Sequence, residues 1–252
     1  MFKKGQLTIF IIIAIFLVTA VILFFVFRDN DSKVKEIPQE ISPFYTNLLF
    51  CLEQTSGEGI HYLAAHGGYY NVPVKSSIIY FLDEIPYYYL NNENIIPPVS
   101  VIEKELGKYV SENLESCLDF RGFREQGFNI SVGPYFILTN IIEGEISVKM
   151  KNTITVSKGE GSATLENIEI RFKNDFINLY EASFEVVNSY SQKPGFICLT
   201  CLDNIVLNYD VDIKSLPVND ISVIENNIIW YFITNKQDQA ENKLKLIFVV
   251  EK

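Results

Sequence analysis

Residues 144–173, GEISVKMKNTITVSKGEGSATLENIEIRFK, alternate apolar and polar side chains on either side of Lys158-Gly159-Glu160-Gly161. A period of two puts every second side chain on one face, as a half-buried strand requires, and two glycines supply a tight reversal. The stretch therefore predicts two antiparallel strands joined by a turn. The same alternation begins with NISV at residues 129–132, so strands occupy the middle of the chain from about residue 128 to 172.

The sequence on both flanks changes period. Upstream, Tyr45, Leu48, Leu49, Leu52, Ile60, Leu63 and Ala64 recur at three- and four-residue spacings, which predicts an amphipathic helix. Gly57 and Gly59 weaken it and Gly67-Gly68 end it. Val101, Leu106, Tyr109, Val110, Leu114 and Cys117 predict a second helix, with Ser100 as N-cap and Glu103 at the capping-box spacing. Between the two, GGYYNVP and EIPYYYLNNENIIPP read as an extended, loop-rich crossing with a short strand over residues 76–82. Downstream, Phe176, Leu179, Tyr180, Ser183, Phe184 and Val187 predict a third helix, and VIENNIIWYFITN and KLKLIFVV predict closing strands. The fold class is α+β.

The amino terminus is of another kind. From residue 7 to 27 the only side chains that are not apolar are Thr8 and Thr19. About 21 residues rising about 1.5 Å each reach roughly 31 Å as a helix, enough for a bilayer core. Lys3 and Lys4 precede the run, which sets the amino terminus in the cytoplasm and carries the remainder across. The domain reading is a basic leader over 1–6, a transmembrane helix in contact with the lipid bilayer over 7–27, a stalk interrupted by Pro38 and Pro43 over 28–43, and an extracytoplasmic α+β domain over 44–252. With 31 acidic against 21 basic residues and a net charge of −10, the chain repels phosphate backbones, so nucleic acid is excluded as a partner.

Lys3-Lys4-Gly5-Gln6 ahead of the apolar run resembles the class III signal peptides of archaeal type IV pilin-like proteins. The resemblance implies peptidase processing between Gly5 and Gln6. Two departures favour a one-copy anchor over a filament core: the prolines soon after the apolar run, and Phe10 at the fifth mature position, where many pilins carry an acid. The remaining chain, with CLEQTSGEGIHYLAAHGGYY, IPYYYL, YVSENLESCLDF and ICLTCLDN, resembles an uncharacterised group of membrane-anchored archaeal proteins.

An even number of cysteines in an exported domain makes disulfides the default, and Cys51, Cys117, Cys198 and Cys201 allow three pairings. Cys51 with Cys117 is favoured because each lies in a helix of apolar period, which leaves Cys198 with Cys201 in a short local loop. CLTC also has the spacing of a redox pair. The turn at Pro194-Gly195 and the absence of a βαβ context argue for a structural disulfide there. His61 and His66 are five apart, not on one helical face, so no metal or other cofactor is expected. Tyr69, Tyr70, Tyr87, Tyr88 and Tyr89 form the candidate recognition surface, since tyrosine offers a large rigid area and a polar tip. Asn129-Ile130-Ser131 is an N-x-S glycosylation sequon. These features describe an envelope structural or binding protein, not an enzyme, with an envelope protein or glycan as partner. A pilin-like filament subunit and a tethered thiol oxidoreductase are the alternatives.

Overall fold

The computed structural model describes residues 17–19, 37–80, 83–217, 228–236 and 243–252. The chain divides into two units after Ile37. In the first unit the structure describes Leu17, Val18 and Thr19 as helix, together with Ile37. The spanning helix expected over 7–27 is therefore corrected: among the described residues no helix is long and apolar enough to cross a membrane. The rest of that stretch, with Gly5 and Gln6, lies outside the described residues.

In the second unit, Pro38–Lys252, the elements run α1 (Ser42–Ala65), a 3-10 turn (Val74–Ser76), β1 (Ser77–Tyr80), β2 (Asp83–Leu90), β3 (Glu93–Asn94), α2 (Val99–Cys117), α3 (Phe120–Glu125) and β4 (Asn129–Val132). They continue with β5 (Phe136–Ile142), β6 (Glu145–Lys158), β7 (Gly161–Lys173), α4 (Phe176–Ser191), α5 (Leu199–Tyr209), β8 (Val211–Pro217), β9 (Ile228–Asn235) and β10 (Lys245–Glu251). The α+β class stands without the expected span.

The strands form two sheets. In the four-stranded one β6 is central. β7 pairs along one edge from Glu145↔Lys173 to Lys158↔Gly161, and β5 and β4 lie end to end along the other. Gly159 turns this hairpin at φ +56°, a left-handed conformation that glycine adopts without strain. Lys151 and Asn152 oppose the single residue Asn167, whose φ is +51°, so the long hairpin carries a bulge where the apolar alternation of β7 slips by one.

The second sheet has the order β1-β2-β10-β9-β8 with β3 also on β2. It is mixed, because β10 runs parallel to β2, where the sequence suggested only antiparallel strands. Two distant segments make that pairing, and local periodicity carries no sign of it. Pro86 sits inside β2, in a region read as loop-rich. It is tolerated because Ser77↔Pro86 ends the β1 ladder and β10 meets β2 only at Tyr87 and Tyr89, so neither side calls on a proline N–H.

α1 buries Phe44, Leu48, Cys51, Leu52, Ile60 and Leu63 completely, each side chain contributing about 1.5–3 kcal/mol. Pro43 falls in its first turn instead of ending a stalk, and Ile41 is already in the core. The helix ends where Gly68 N–H donates to the Leu63 carbonyl at 2.6 Å, with Gly67 and Gly68 both at positive φ. α2 begins at Val99 after Pro98, so Ser100 is not its cap. Glu103 instead accepts the Ile141 N–H at 2.9 Å and ties α2 to β5. α3, which the sequence did not suggest, sets Phe123 5.3 Å from Phe44.

Candidate functional site

The tyrosines proposed as one recognition surface separate in the fold. β2 is paired along both edges, with β1 and β10, and its residues alternate between the two faces of the sheet. Tyr88 is fully buried, stacks on Phe248 at 4.3 Å and donates its hydroxyl to the Gly67 carbonyl at 3.1 Å. Tyr89 is buried edge-on against Tyr190, and Tyr87 packs on the cluster of Ile85, Ile228, Trp230 and Val249. Tyr88 and Tyr89 are core residues, and Tyr87 is partly buried at the edge of that cluster. Tyr69 is half-buried, and desolvation, with Glu105 close by, pushes its phenol upward.

Tyr70 remains at the surface, joined by residues that the sequence reading passed over. Tyr62 and His66 are one helical turn apart on α1, with rings stacked at 4.1 Å. Tyr70 meets Tyr62 at 5.7 Å and Tyr109 at 5.2 Å, both edge-on, and Tyr62 and Tyr109 lie 5.5 Å apart. Four rings from α1, the segment after it and α2 thus form one cluster. The i,i+4 spacing of Tyr62 and His66 was the available signal.

The local chain explains the assembly. Gly59 has no side chain where a Cβ would stand 2.7 Å from the Tyr109 ring and 2.9 Å from Leu106, so it admits the α2 ring against α1. The glycine that weakens the helix in isolation is the one that lets the pair close. Glu105 accepts the backbone N–H groups of Tyr70 and Asn71, each at 2.9 Å, which fixes the segment on α2. Cys51 and Cys117 are bonded across the same helix pair with Cα atoms 5.5 Å apart.

The cluster is ringed by negative charge. Tyr70 donates its hydroxyl to Glu112 at 3.0 Å, and this bond is the main cause that raises its pKa. Desolvation raises the phenols of Tyr62 and Tyr109, with Asp83 and Glu84 adding to the first and Glu58 to the second. One cation is in place: the Lys108 ammonium lies 5.6 Å from the Tyr70 ring centre. His66 donates through Nδ1 to the Tyr62 carbonyl at 2.8 Å and points Nε2 toward Asp83 at 3.9 Å. It is held as part of the cluster, while His61 is exposed. Among the described residues no group of three His, Cys, Asp or Glu side chains is placed to hold a metal ion. An open groove lined by Gln39, Ser42, Pro43, Thr46, Asn47 and Phe50 lies at the other end of α1.

All four cysteines are paired, Cys198 with Cys201 at a Cα separation of 5.2 Å. The second pair does not lie in a plain loop. Cys198 is the N-cap of α5, and its Sγ accepts the Cys201 N–H at 3.2 Å. The reading of CLTC as a short local loop after the Pro194-Gly195 turn is thereby corrected: α5 starts directly after Cys198, a helix that the turn signal concealed. Asn129 is exposed at the start of β4, a strand that among the described residues pairs only with β6. Set against models of known protein families, curated proteins and solved structures, the chain matches none.

Proposed function

We propose that this chain is a binding protein of the cell envelope, exported by its basic and apolar leader, that holds a basic segment of a partner protein against the Tyr62–His66–Tyr70–Tyr109 cluster. The observation that carries the reading is the aromatic cluster itself, built on a disulfide-bonded helix pair and rimmed by Glu58, Asp83, Glu84 and Glu112. Aromatic faces and edges within a carboxylate rim attract Lys and Arg side chains, as Lys108 beside Tyr70 already illustrates. A cross-linked scaffold keeps the ordering cost of binding low. Full pairing of the cysteines supports an oxidising compartment, and the resemblance of Lys3–Gln6 to class III signal peptides supports export.

The test is calorimetric titration with synthetic Lys- and Arg-rich peptides, acidic controls of equal length, and envelope glycan fragments. Binding of the basic peptides alone, weakened at least about ten-fold by Tyr62→Ala with Tyr70→Ala and by raised salt, is the expected result. Preference for the glycans, or indifference to peptide charge, overturns the partner. Full protection of the domain from protease added to intact cells overturns the location.

A further inference from the structure

The geometry points to a second activity, independent of the aromatic cluster: Cys198–Cys201 is an exchangeable disulfide that reacts with protein thiols through Cys198. Three features of the site converge. Cys198 occupies the N-cap of an eleven-residue helix, and its sulfur takes the N–H of the third helical residue, the place usually filled by a Ser or Asp oxygen. A thiolate at that atom is stabilised by the hydrogen bond and by the positive end of α5, and Thr200 Oγ1 stands 3.6 Å away as a further donor. Reduction therefore releases a stabilised leaving group.

The second feature is access. Residues 191–196 are exposed, and Phe196 and Leu199, which flank the cysteine, are 53% and 70% exposed. Two apolar side chains this open, on either side of a reactive sulfur, form a landing strip for an extended apolar peptide bearing a cysteine. The third feature is support. Gly195, at φ +81°, donates its N–H to the Tyr190 hydroxyl at 2.9 Å, and that hydroxyl donates to the Glu251 carbonyl at 2.9 Å. The turn before Cys198 is thus fastened to α4 and β10, so the sulfur keeps its position on an otherwise exposed loop.

The exchange balances without a further reagent. A partner thiolate attacks Cys198 Sγ, the Cys198–Cys201 bond breaks, and Cys201 leaves as a thiolate that takes up the proton the partner released. A second partner thiolate then attacks the partner sulfur of the mixed disulfide and expels Cys198 as the N-capped thiolate, which is protonated in turn. The partner dithiol loses two electrons and becomes a disulfide, and the cysteine pair gains them. The reverse reaction, from the reduced pair and a partner disulfide, follows the same path.

The experiment exposes the native full-length protein to reduced glutathione at neutral pH, traps thiols with maleimide, and maps the peptides. Cys198 and Cys201 should be labelled at least about a hundred-fold faster than Cys51 and Cys117, with the circular dichroism unchanged. Exposed instead to oxidised glutathione, Cys201→Ser should take up glutathione on Cys198 with release of one reduced glutathione, whereas Cys198→Ser should take up far less on Cys201. With a synthetic two-cysteine apolar peptide, Phe196→Asp combined with Leu199→Asp should slow exchange about ten-fold while leaving the glutathione rate in place. Reduction of the two disulfides at equal rates, or of Cys198–Cys201 only on unfolding, overturns the proposal. If the serine variants fail to fold, the selective reduction of the unaltered protein decides it.

Discussion

The two disulfides of this chain do opposite things with the same bond. Cys51–Cys117 spans 66 residues of sequence, joins α1 to α2, and has Cys51 wholly buried. Cys198–Cys201 spans three, lies partly exposed at the start of one helix, and has the exposed residues Phe196, Leu199 and Thr200 beside it. A cross-link stabilises chiefly by restricting the unfolded chain, an effect that grows with the loop it closes. The first bond is placed where that restriction is large and one of its sulfurs, that of Cys51, is closed off from reagents. The second is placed where restriction is small and both cysteines are partly exposed. What differs is position in the fold, and position decides whether a disulfide is a fastener or a reactive group.

The comparison breaks most sharply if the long bond is removed. Replacing Cys51 and Cys117 together by serine should cost about 4 kcal/mol on the chain-entropy estimate for that loop, read as a lowered urea midpoint. It should also loosen the aromatic cluster on the same helix pair, seen as weaker tyrosine ring-current shifts. A loss below about 1 kcal/mol would mean that the helix pair holds itself and that the bond is dispensable.

Within that helix pair, two glycines two residues apart separate helix propensity from packing. Gly57 has nothing within 4 Å of where a Cβ would stand, whereas at Gly59 the Cβ would meet Tyr109 at 2.7 Å. Gly59→Ala should therefore destabilise by about 1–3 kcal/mol through overpacking. Gly57→Ala should stabilise by up to about 1 kcal/mol, the ordinary gain for a helix interior. Equal signs for the two substitutions in thermal unfolding would show that α1 and α2 are not in close contact there.

The short bond should matter less to stability than the long one. Replacing Cys198 and Cys201 together by serine should cost about 2 kcal/mol at most, since the closed loop is small and the serine hydroxyl at position 198 can take over the cap. A stability cost well below that bound, together with complete loss of glutathione exchange, is the pattern of a reactive pair. A cost matching that of the Cys51–Cys117 pair would make both bonds structural.

The sequence carried the elements that are periodic and self-contained. The β6/β7 hairpin, α1, α2 and α4 each announce themselves in side-chain spacing, because each buries a regular face. What was not legible depends on distant partners. The parallel β2–β10 pair joins residues over 150 positions apart and sets Tyr88 on Phe248, while Tyr89 is buried against Tyr190 of α4, so both turn from candidate binders into core. α5 was hidden because Pro194-Gly195 suggests a turn and gives no sign of the helix that starts four residues later. The aromatic cluster was half legible: Tyr62 and His66 stand at helical spacing, but Tyr109 joins them only because Gly59 lets α2 approach.

The smallest effect probes the cluster through a single proton. Tyr70 donates to Glu112, and this bond is the first cause of its raised phenol pKa, ahead of desolvation. The sign follows from the linkage between proton binding and folding. A phenol whose folded pKa lies above its unfolded value of 10.0 contributes stability in full below that value and loses it as pH rises through the folded pKa. Because Tyr70 is solvent-facing, Tyr70→Phe should cost only about 0.5 kcal/mol at neutral pH. Glu112→Gln should cost no more, yet it should bring the Tyr70 tyrosinate absorbance in at lower pH, since the neutral amide oxygen holds the phenolic proton less strongly than a carboxylate does. An unchanged titration in that variant would show that Glu112 does not receive the Tyr70 proton, and would take away one part of the acidic rim on which recognition of a basic partner rests.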